Sequence, residues 1–191
     1  PTLASYGYPS LVESISSAMP GLRIVRSEDK TEDLLQSLRT GQLDAALLAT
    51  PVEEEALHSE FAFVDPFFLA VDNSHSLAER DHVSMSDLQG VNVMLLEEGH
   101  CLGQQALKIC DLMGLTPDLD VRGTSLETLR LMVAAGAGVT IMPDIAIRED
   151  EKGIKYLPFA EGGVNRSVCL VRRHSCVRSL VYDRIMEILL S

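Results

Sequence analysis

The order of hydrophobic and polar positions in this chain predicts helices and strands that alternate throughout. Apolar residues at helical spacing predict helices that begin near positions 10, 31, 86, 101, 124 and 180. Capping boxes at Ser10-x-x-Glu13 and Thr124-x-x-Glu127 indicate two of these helix starts. Short apolar runs predict strands at 22–26, 43–49, 91–96, 139–142, 154–157 and 168–171, and the run 61–71 is predicted to be extended and interrupted by Asp65-Pro66. This alternation is typical of an α/β protein with largely parallel sheets.

Two extended segments are the best candidates for crossings between two lobes, because each follows a turn-rich stretch. They are residues 65–71 and 167–173. Because the chain contains no repeat and no Gly/Ser-rich linker, any crossing between lobes is expected to run through strands.

Two cysteines on one predicted helix are the strongest candidates for chemistry. Cys101 begins that helix and Cys110 lies nine residues later. In an α-helix this step is roughly 13.5 Å along the axis and about 180° around it. A disulfide requires Cα atoms within roughly 7 Å. The two thiols are therefore either unconnected neighbours, or they can pair only if the helix unwinds.

The positions of Cys101 and Cys110 on the predicted helix favour different roles for the two thiols. A thiol at a helix N-terminus meets unpaired backbone N–H groups and the positive end of the macrodipole, which favour the nucleophilic thiolate at Cys101. Burial as a small apolar side chain is the alternative for Cys101 and the better prediction for Cys110 from the residues alone. Gly103 is consistent with a helix that can unwind. Cys169 is expected in the core and Cys176 in an exposed turn, neither with an assigned role.

Composition and charge exclude several classes of protein. The net charge of −12 disfavours nucleic-acid binding by the surface of this chain. The hydrophobic content of 46% with 23% charged residues is typical of a globular domain and not of a disordered one. Apolar runs are too short for a membrane span, and no signal-peptide pattern is present. The four cysteines are too few for a disulfide scaffold, so the protein is expected in a reducing cytoplasm. Because they lack zinc spacing, neither a metal nor a cofactor is expected. The apolar start without Met is interpreted as that of a fragment.

Three parts of the sequence carry a family resemblance. They are Leu96-Glu97-Glu98-Gly99-His100-Cys101, the nine-residue step to Cys110, and the segment Thr124–Gly138 with its Thr-Ser-Leu-Glu-Thr-Leu-Arg start. Together they resemble the OxyR family, the peroxide-sensing members of the LysR-type transcriptional regulators. The His-Cys plus Cys arrangement is specific to OxyR, whereas the Ser-Leu-Glu-Thr helix is shared more widely among LysR-type proteins. The resemblance covers essentially the whole chain.

The resemblance implies a fold like that of type 2 periplasmic binding proteins, with two Rossmann-like α/β lobes joined by two crossover strands. Lobe I is expected at residues 1–67 plus 172–191, and lobe II, which carries the redox cysteines, at 68–171. The winged helix-turn-helix DNA-binding domain that precedes this region in the family is expected to lie outside the chain.

The resemblance also implies the chemistry. Cys101 is the peroxidatic cysteine, oxidised by hydrogen peroxide to a sulfenic acid, and Cys110 is the resolving cysteine that closes a disulfide. Residues matching the family's peroxide site are Thr2 at the end of a first strand, Thr31 before the second helix, His100, and Arg173 or its neighbour Arg172. Hydroxyl groups could hydrogen-bond the peroxide, and a guanidinium could stabilise the leaving hydroxide.

Partners follow from the same resemblance. The small-molecule partner is hydrogen peroxide, and a thiol reductant such as glutaredoxin would restore the reduced form. The macromolecular partners are a second copy, in a dimer of regulatory domains within a tetramer, promoter DNA through the absent domain, and RNA polymerase. No membrane contact is expected. The protein is expected to be a cytoplasmic regulator and not an enzyme. The alternatives are a LysR-type domain that binds a small metabolite, with Cys101 incidental, and a thiol peroxidase.

Overall fold

The computed structural model of the chain describes residues 2–97, 101–148, 151–160, 164–176 and 178–190, apart from the side chains of residues 8, 10 and 119–122. Its helices are α1 (Thr2–Ala18), α2 (Thr31–Thr40), α3 (Cys101–Met113), α4 (Leu126–Ala134) and α5 (Ser179–Leu190). Its strands are β1 (Ala45–Leu48), β2 (Leu57–Asp72), β3 (Asn92–Leu96), β4 (Thr116–Gly123), β5 (Val139–Pro143), β6 (Ile154–Pro158) and β7 (Asn165–Arg173). The predicted α/β class is confirmed.

The chain divides into two compact units. Unit 1 consists of Pro1–Asp65 and Arg166–Ser191, and unit 2 of Pro66–Asn165. The lobe bounds that the resemblance implies, 67/68 and 171/172, stay predictions, and the compact units divide two residues earlier at the first crossing and six residues earlier at the return. The return differs more because nearly all of β7 packs with unit 1, where it pairs with β1.

Unit 1 is a sheet with a helix on each face. β7 lies between β1 and β2, and pairs with β1 in antiparallel register, Leu48 opposite Cys169. Successive residues of β7 point to opposite faces, as expected for a strand. One face packs against α2 in a cluster of Leu35, Leu38, Ala46, Leu48, Leu57, Cys169 and Val171. The other face packs against α5 in a cluster of Ala62, Leu170, Tyr182 and Met186.

Unit 2 is a mixed sheet centred on β3. β3 runs parallel to β4 on one side and to β5 on the other, while β2 is antiparallel to both β5 and β6. The buried Thr140 hydroxyl donates to the Met94 carbonyl across the β3–β5 pair at 2.8 Å. Helices α3 and α4 both pack on β3 and β4. The expectation of largely parallel sheets therefore holds only around β3.

The N-terminal region departs from the predicted elements. The first helix begins at Thr2, so the Ser10 capping-box sequence lies inside α1 and does not mark a helix start. That pattern marks a helix start only where the preceding residues leave the helix, and here α1 continues through Pro9 and packs on α5. Segment 22–26 alternates like a strand, yet in the described part of the chain no strand pairs with it.

Three further details of the prediction were wrong. Asp65-Pro66 does not interrupt β2, which runs through both residues. β4 was missed because Pro117 and two aspartates make 116–123 a poor strand sequence, although proline is tolerated at a sheet edge, where β4 lies. The N-cap of α4 is Ser125 and not Thr124, since the Ser125 hydroxyl accepts from the Thr128 N–H at 3.1 Å.

A buried ion pair joins the residue at which the chain leaves unit 1 to the residue at which it returns. Arg166 Nε donates to Asp65 Oδ2 at 2.8 Å, and both side chains are at most 2% exposed. A buried charge without its partner carries a large desolvation penalty.

Among the described residues, no helix is long and apolar enough to cross a membrane.

We predict that Asp65→Asn lowers the free energy of unfolding by about 3–5 kcal/mol, because it removes the carboxylate charge that pairs with the buried Arg166 guanidinium. Urea denaturation followed by circular dichroism measures the change. The exposed Arg39–Glu54 pair provides a matched control, since both its side chains are about one third exposed. Glu54→Gln should lower stability far less than Asp65→Asn, and equal losses would contradict the prediction.

Candidate redox site

Helix α3 presents one apolar stripe to unit 2. Its buried residues recur at helical spacing: Leu102, Gly103, Ala106, Ile109, Cys110 and Met113. Cys110 lies on this stripe and is fully buried, whereas Cys101, the first residue of the helix, is half-buried. The spacing of nine helical residues places the two thiols on opposite sides of α3, separated by roughly 13.5 Å along the axis. The helix as folded therefore excludes a disulfide between them.

The start of α3 packs closely on the sheet of unit 2, and its end is closed by a glycine turn. At its start, Gly103 packs against the last residues of β3, where an added Cβ would lie 3.2 Å from the Leu96 carbonyl oxygen. At its end, Gly114 adopts a left-handed conformation (φ 67°), which glycine allows without a steric penalty. The Leu115 N–H then donates to the Cys110 carbonyl at 2.9 Å. The backbone of the second cysteine thus helps to terminate the helix.

Burial changes the acidity of the second thiol. It raises the pKa of Cys110 to about 11, and the neighbouring Asp111 carboxylate acts in the same direction. At neutral pH the folded helix therefore keeps Cys110 as a neutral thiol, which is a poor nucleophile.

The other cysteines are also free thiols. Cys169 is buried in β7, as expected. Cys176 was predicted to be an exposed bystander, but it is half-buried and packs beside the cluster on α5. Its hydrogen bond with Tyr182 lowers the pKa of the Cys176 thiol. The structure therefore gives Cys176 polar contacts that its turn-like sequence did not indicate.

The threonines expected at the peroxide site both stand at helix starts in unit 1. Thr2 is the first residue of α1 and not the end of a strand as expected, and Thr31 is the first residue of α2. Both side chains are half-buried. Cys101 and Cys110 belong to unit 2. His100 lies outside the described residues.

Arg173 is held by backbone carbonyls of unit 1. Its Nη1 donates to the carbonyl oxygen of Leu38, in the last turn of α2, at 2.5 Å and to that of Leu43, just beyond the helix, at 2.6 Å. Its Nη2 lies 3.9 Å from the Asp44 carboxylate. Arg172, the alternative candidate, instead places its guanidinium 5.6 Å from the centre of the Tyr182 ring. The two arginines therefore have different surroundings, and Arg173 is the one that neutralises the negative end of a helix.

Sequence reasoning missed one buried charge in unit 2. Arg130 is 1% exposed, and its guanidinium donates to the Glu151 carboxylate at 2.5 Å, the Tyr156 hydroxyl at 2.8 Å and the Ala146 carbonyl at 2.5 Å. These bonds anchor α4 to the segment that joins β5 and β6. The helical spacing of 126, 129, 130 and 133 was the available signal, because it puts Arg130 on the apolar stripe of α4.

Metal ligands are not grouped in the part of the chain that the structure describes. There, no cluster of three or more His, Cys, Asp or Glu side chains is arranged to hold an ion.

Comparison with known proteins gives a consistent result. The chain is 40% identical, over 91% of its length, to a protein of Dickeya chrysanthemi named a hydrogen peroxide-inducible genes activator. It spans 57% of that relative. Among solved structures, the reduced form of OxyR matches all of the chain and 90% of its own length with a TM-score of 0.88 at 36% identity. The oxidized form of OxyR matches with a TM-score of 0.85 at 37% identity, again over the whole chain and 91% of its own length.

The family assignment follows from the fold and from these matches together. The LysR substrate-binding domain family matches residues 1–191, and the resemblance to OxyR stated from the sequence is confirmed. The chain therefore belongs to the LysR substrate-binding domain family.

Proposed function

We propose that this chain is the hydrogen peroxide-sensing regulatory domain of a LysR-type transcriptional regulator, switched by a disulfide between Cys101 and Cys110. The observation that carries the proposal is the pair of free thiols at opposite sides of one helix, which cannot pair until that helix unwinds. The similarity to both reduced and oxidized forms of OxyR supports it.

The first step is oxidation of Cys101. Its thiolate attacks one peroxide oxygen, so that an S–O bond forms, the O–O bond breaks and hydroxide leaves. The sulfur is oxidised to a sulfenic acid and the peroxide is reduced. The position of Cys101 at the first residue of α3 supports this role, because the first turn of a helix presents backbone N–H groups to a negative charge.

Peroxide binding is proposed to use Thr2, Thr31, His100 and Arg173. The two threonine hydroxyls can each donate and accept a hydrogen bond, which matches the two O–H groups of peroxide. The Arg173 guanidinium can stabilise the departing hydroxide. It carries five N–H donors, and the bonds to the Leu38 and Leu43 carbonyls both come from Nη1.

The second step is closure of the disulfide. The Cys110 sulfur attacks the Cys101 sulfur, the S–O bond breaks, and the leaving hydroxide combines with the proton from Cys110 to form water. Burial holds Cys110 neutral in the folded helix, with its pKa near 11. Unwinding of α3 brings this thiol to solvent, restores its ordinary acidity and removes the distance constraint at once. One conformational change therefore prepares both the geometry and the nucleophile.

The control of transcription is proposed to need other parts of a longer protein. The net charge of −12 disfavours direct contact between this chain and DNA, so promoter binding is assigned to the remainder of a longer protein, and RNA polymerase is a further proposed partner. Repacking of unit 2 after disulfide closure would alter an interface with a second copy, in a dimer within a tetramer. A thiol reductant such as glutaredoxin would restore the reduced form in the cytoplasm. The domain acts as a sensor and not as an enzyme.

We predict that one equivalent of peroxide converts two thiols to a Cys101–Cys110 disulfide in the wild-type chain. Peptide mass analysis after alkylation and proteolysis without a reductant identifies the link, and titration with a thiol reagent counts the free thiols. Cys101→Ser should lose oxidation at low peroxide, whereas Cys110→Ser should stop at the sulfenic acid and then over-oxidise.

Cys169→Ser is the matched control, since it removes a buried thiol from unit 1 and should leave the disulfide unchanged. A wild-type chain that forms no Cys101–Cys110 link would exclude the proposal. Continuous peroxide consumption with a small thiol reductant would favour a thiol peroxidase. Thermal stabilisation by a small carboxylate ligand, together with indifference to peroxide, would favour a metabolite-binding domain.

The pKa of Cys110 also predicts how the stability of the reduced chain depends on pH. The thiol ionises near pH 9 when unfolded and near pH 11 when folded, so its contribution is complete below pH 9 and is lost as pH rises to 11. Between pH 9 and pH 11, the free energy of unfolding should fall by about 2 kcal/mol more in wild type than in Cys110→Ala.

Urea denaturation at fixed pH values under a reductant measures this difference. Subtracting the Cys110→Ala profile removes the contribution of other groups that ionise in the same range, such as the tyrosines. Parallel profiles for the two proteins would contradict the assignment of a buried, neutral thiol to Cys110.

A further inference from the structure

Two histidines of unit 1 come together although they lie far apart in the sequence. His58 is the second residue of β2, and His174 follows the last residue of β7. The His174 N–H donates to the Ala56 carbonyl at 3.1 Å, so the backbone holds the two segments side by side. The imidazole rings have centroids 5.5 Å apart and planes inclined at 60°. Both side chains are exposed to solvent, so an ion can reach the pair directly.

The distance between the rings fits two ligands of one tetrahedral metal ion. An imidazole nitrogen binds Zn²⁺ at roughly 2.0–2.1 Å, which places the ring centroid roughly 3.2 Å from the ion. At a tetrahedral angle, two such centroids lie roughly 5.2 Å apart. The observed separation of 5.5 Å is close enough for a small side-chain rotation to bring both rings onto one ion. A ring contact without metal also allows this separation, so a test must distinguish the two.

The charges around the pair favour a cation. The Glu60 Oε2 atom lies 3.6 Å from His58 Nε2, and alternation along a strand puts both side chains on the same face of β2. The two arginines that precede His174 have their guanidinium groups engaged elsewhere. Arg172 stands over an aromatic ring, and Arg173 donates to backbone carbonyls. A carboxylate is therefore the charged group that the structure places at the ring nitrogens of this pair.

We propose that His58 and His174 form a binding site for a divalent transition metal of the zinc class, with two imidazole ligands and water at the remaining positions. Imidazole is a ligand that suits Zn²⁺, and Glu60 offsets part of the charge of the ion. The pair is smaller than the clusters of three or more ligands that the described residues lack. A bound ion would fasten the start of β2 to the end of β7. The site is independent of the disulfide, whose cysteines lie in unit 2.

The test is a calorimetric titration of the reduced chain, freed of any affinity tag, with zinc sulfate. Wild type should bind one Zn²⁺ per chain. His58→Ala and His174→Ala should each weaken binding about tenfold or more, because the second imidazole of a chelate acts as an intramolecular ligand. Zn²⁺ should also raise the midpoint of urea denaturation of wild type and leave that of both variants unchanged.

Two further variants separate metal binding from other roles of the histidines. His58→Phe keeps an aromatic ring beside His174 and removes the ligand nitrogens. Its urea midpoint without zinc should stay near that of wild type, while the response to zinc is lost. His82→Ala is the matched control, because His82 is an exposed histidine of unit 2, and this variant should bind Zn²⁺ as wild type does.

Three results would overturn the inference. One is a wild-type chain that binds no zinc, and another is equal zinc affinity in wild type, His58→Phe and His174→Ala. The third is binding that survives in these variants but is lost in Cys101→Ser or Cys176→Ser, which would assign the ion to a thiol. The disulfide is measured separately with peroxide, so none of these results decides the proposed function. Circular dichroism of each variant establishes that it is folded.

Discussion

The hydrogen-bonded geometry of α3 is the constraint on which the redox chemistry of this chain depends. An intact helix fixes nine residues at roughly 13.5 Å along its axis, so the half-buried thiol at its start and the buried thiol near its end cannot bond. The helix is held in place by packing on β3 and β4. A disulfide can form only at the expense of this packing, and chemical oxidation at one residue thereby becomes a change in the fold of unit 2.

The raised pKa of Cys110, like the geometry of α3, opposes a disulfide while the helix is intact. The fully buried Cys110 has its pKa raised to about 11, so the thiol that we propose as the resolving group stays neutral while the helix is intact. Other buried ionic groups of the fold are paired, with Arg166 on Asp65 and Arg130 on Glu151. These pairs keep charges satisfied in the interior of each unit. Cys110 differs from them, because within the described part of the chain the charge that shifts the pKa of its thiol is the Asp111 carboxylate and not a cation. Solvent is therefore what would stabilise its ionised form.

Arg173 connects the proposed chemistry with the architecture of unit 1. The resemblance to OxyR assigns this residue to the peroxide site, and the structure shows its guanidinium on the carbonyls of Leu38 and Leu43. Those carbonyls lie at and just beyond the negative end of α2, where a cation is favourable. The same side chain can therefore anchor α2 and keep donors for an oxyanion, so the local fold of unit 1 and the chemistry proposed for Arg173 are coupled.

What the sequence determined by itself was mainly local. The helical spacing of Leu102, Ala106, Ile109 and Met113 predicted α3 and put Cys110 on its buried side, because a 3.6-residue period needs no knowledge of partners. The motif around Cys101, the nine-residue step to Cys110 and the segment Thr124–Gly138 together sufficed to indicate the family. The domain bounds and the roles of the peroxide-site residues stay predictions, since they depend on the resemblance and not on the pattern.

Only the tertiary structure decided which strand-like segments form ladders and which polar groups are buried. Segment 22–26 alternates like a strand, but no strand pairs with it in the described residues. Segment 116–123 is a poor strand sequence, yet it pairs with β3 as the edge strand of the sheet. Arg130 and Asp65 read as ordinary charged residues, yet both are buried with partners 21 and 101 residues away. The physical reason is the same in each case. Strand pairing and the partners of buried charges depend on groups distant along the chain, which local periodicity cannot report.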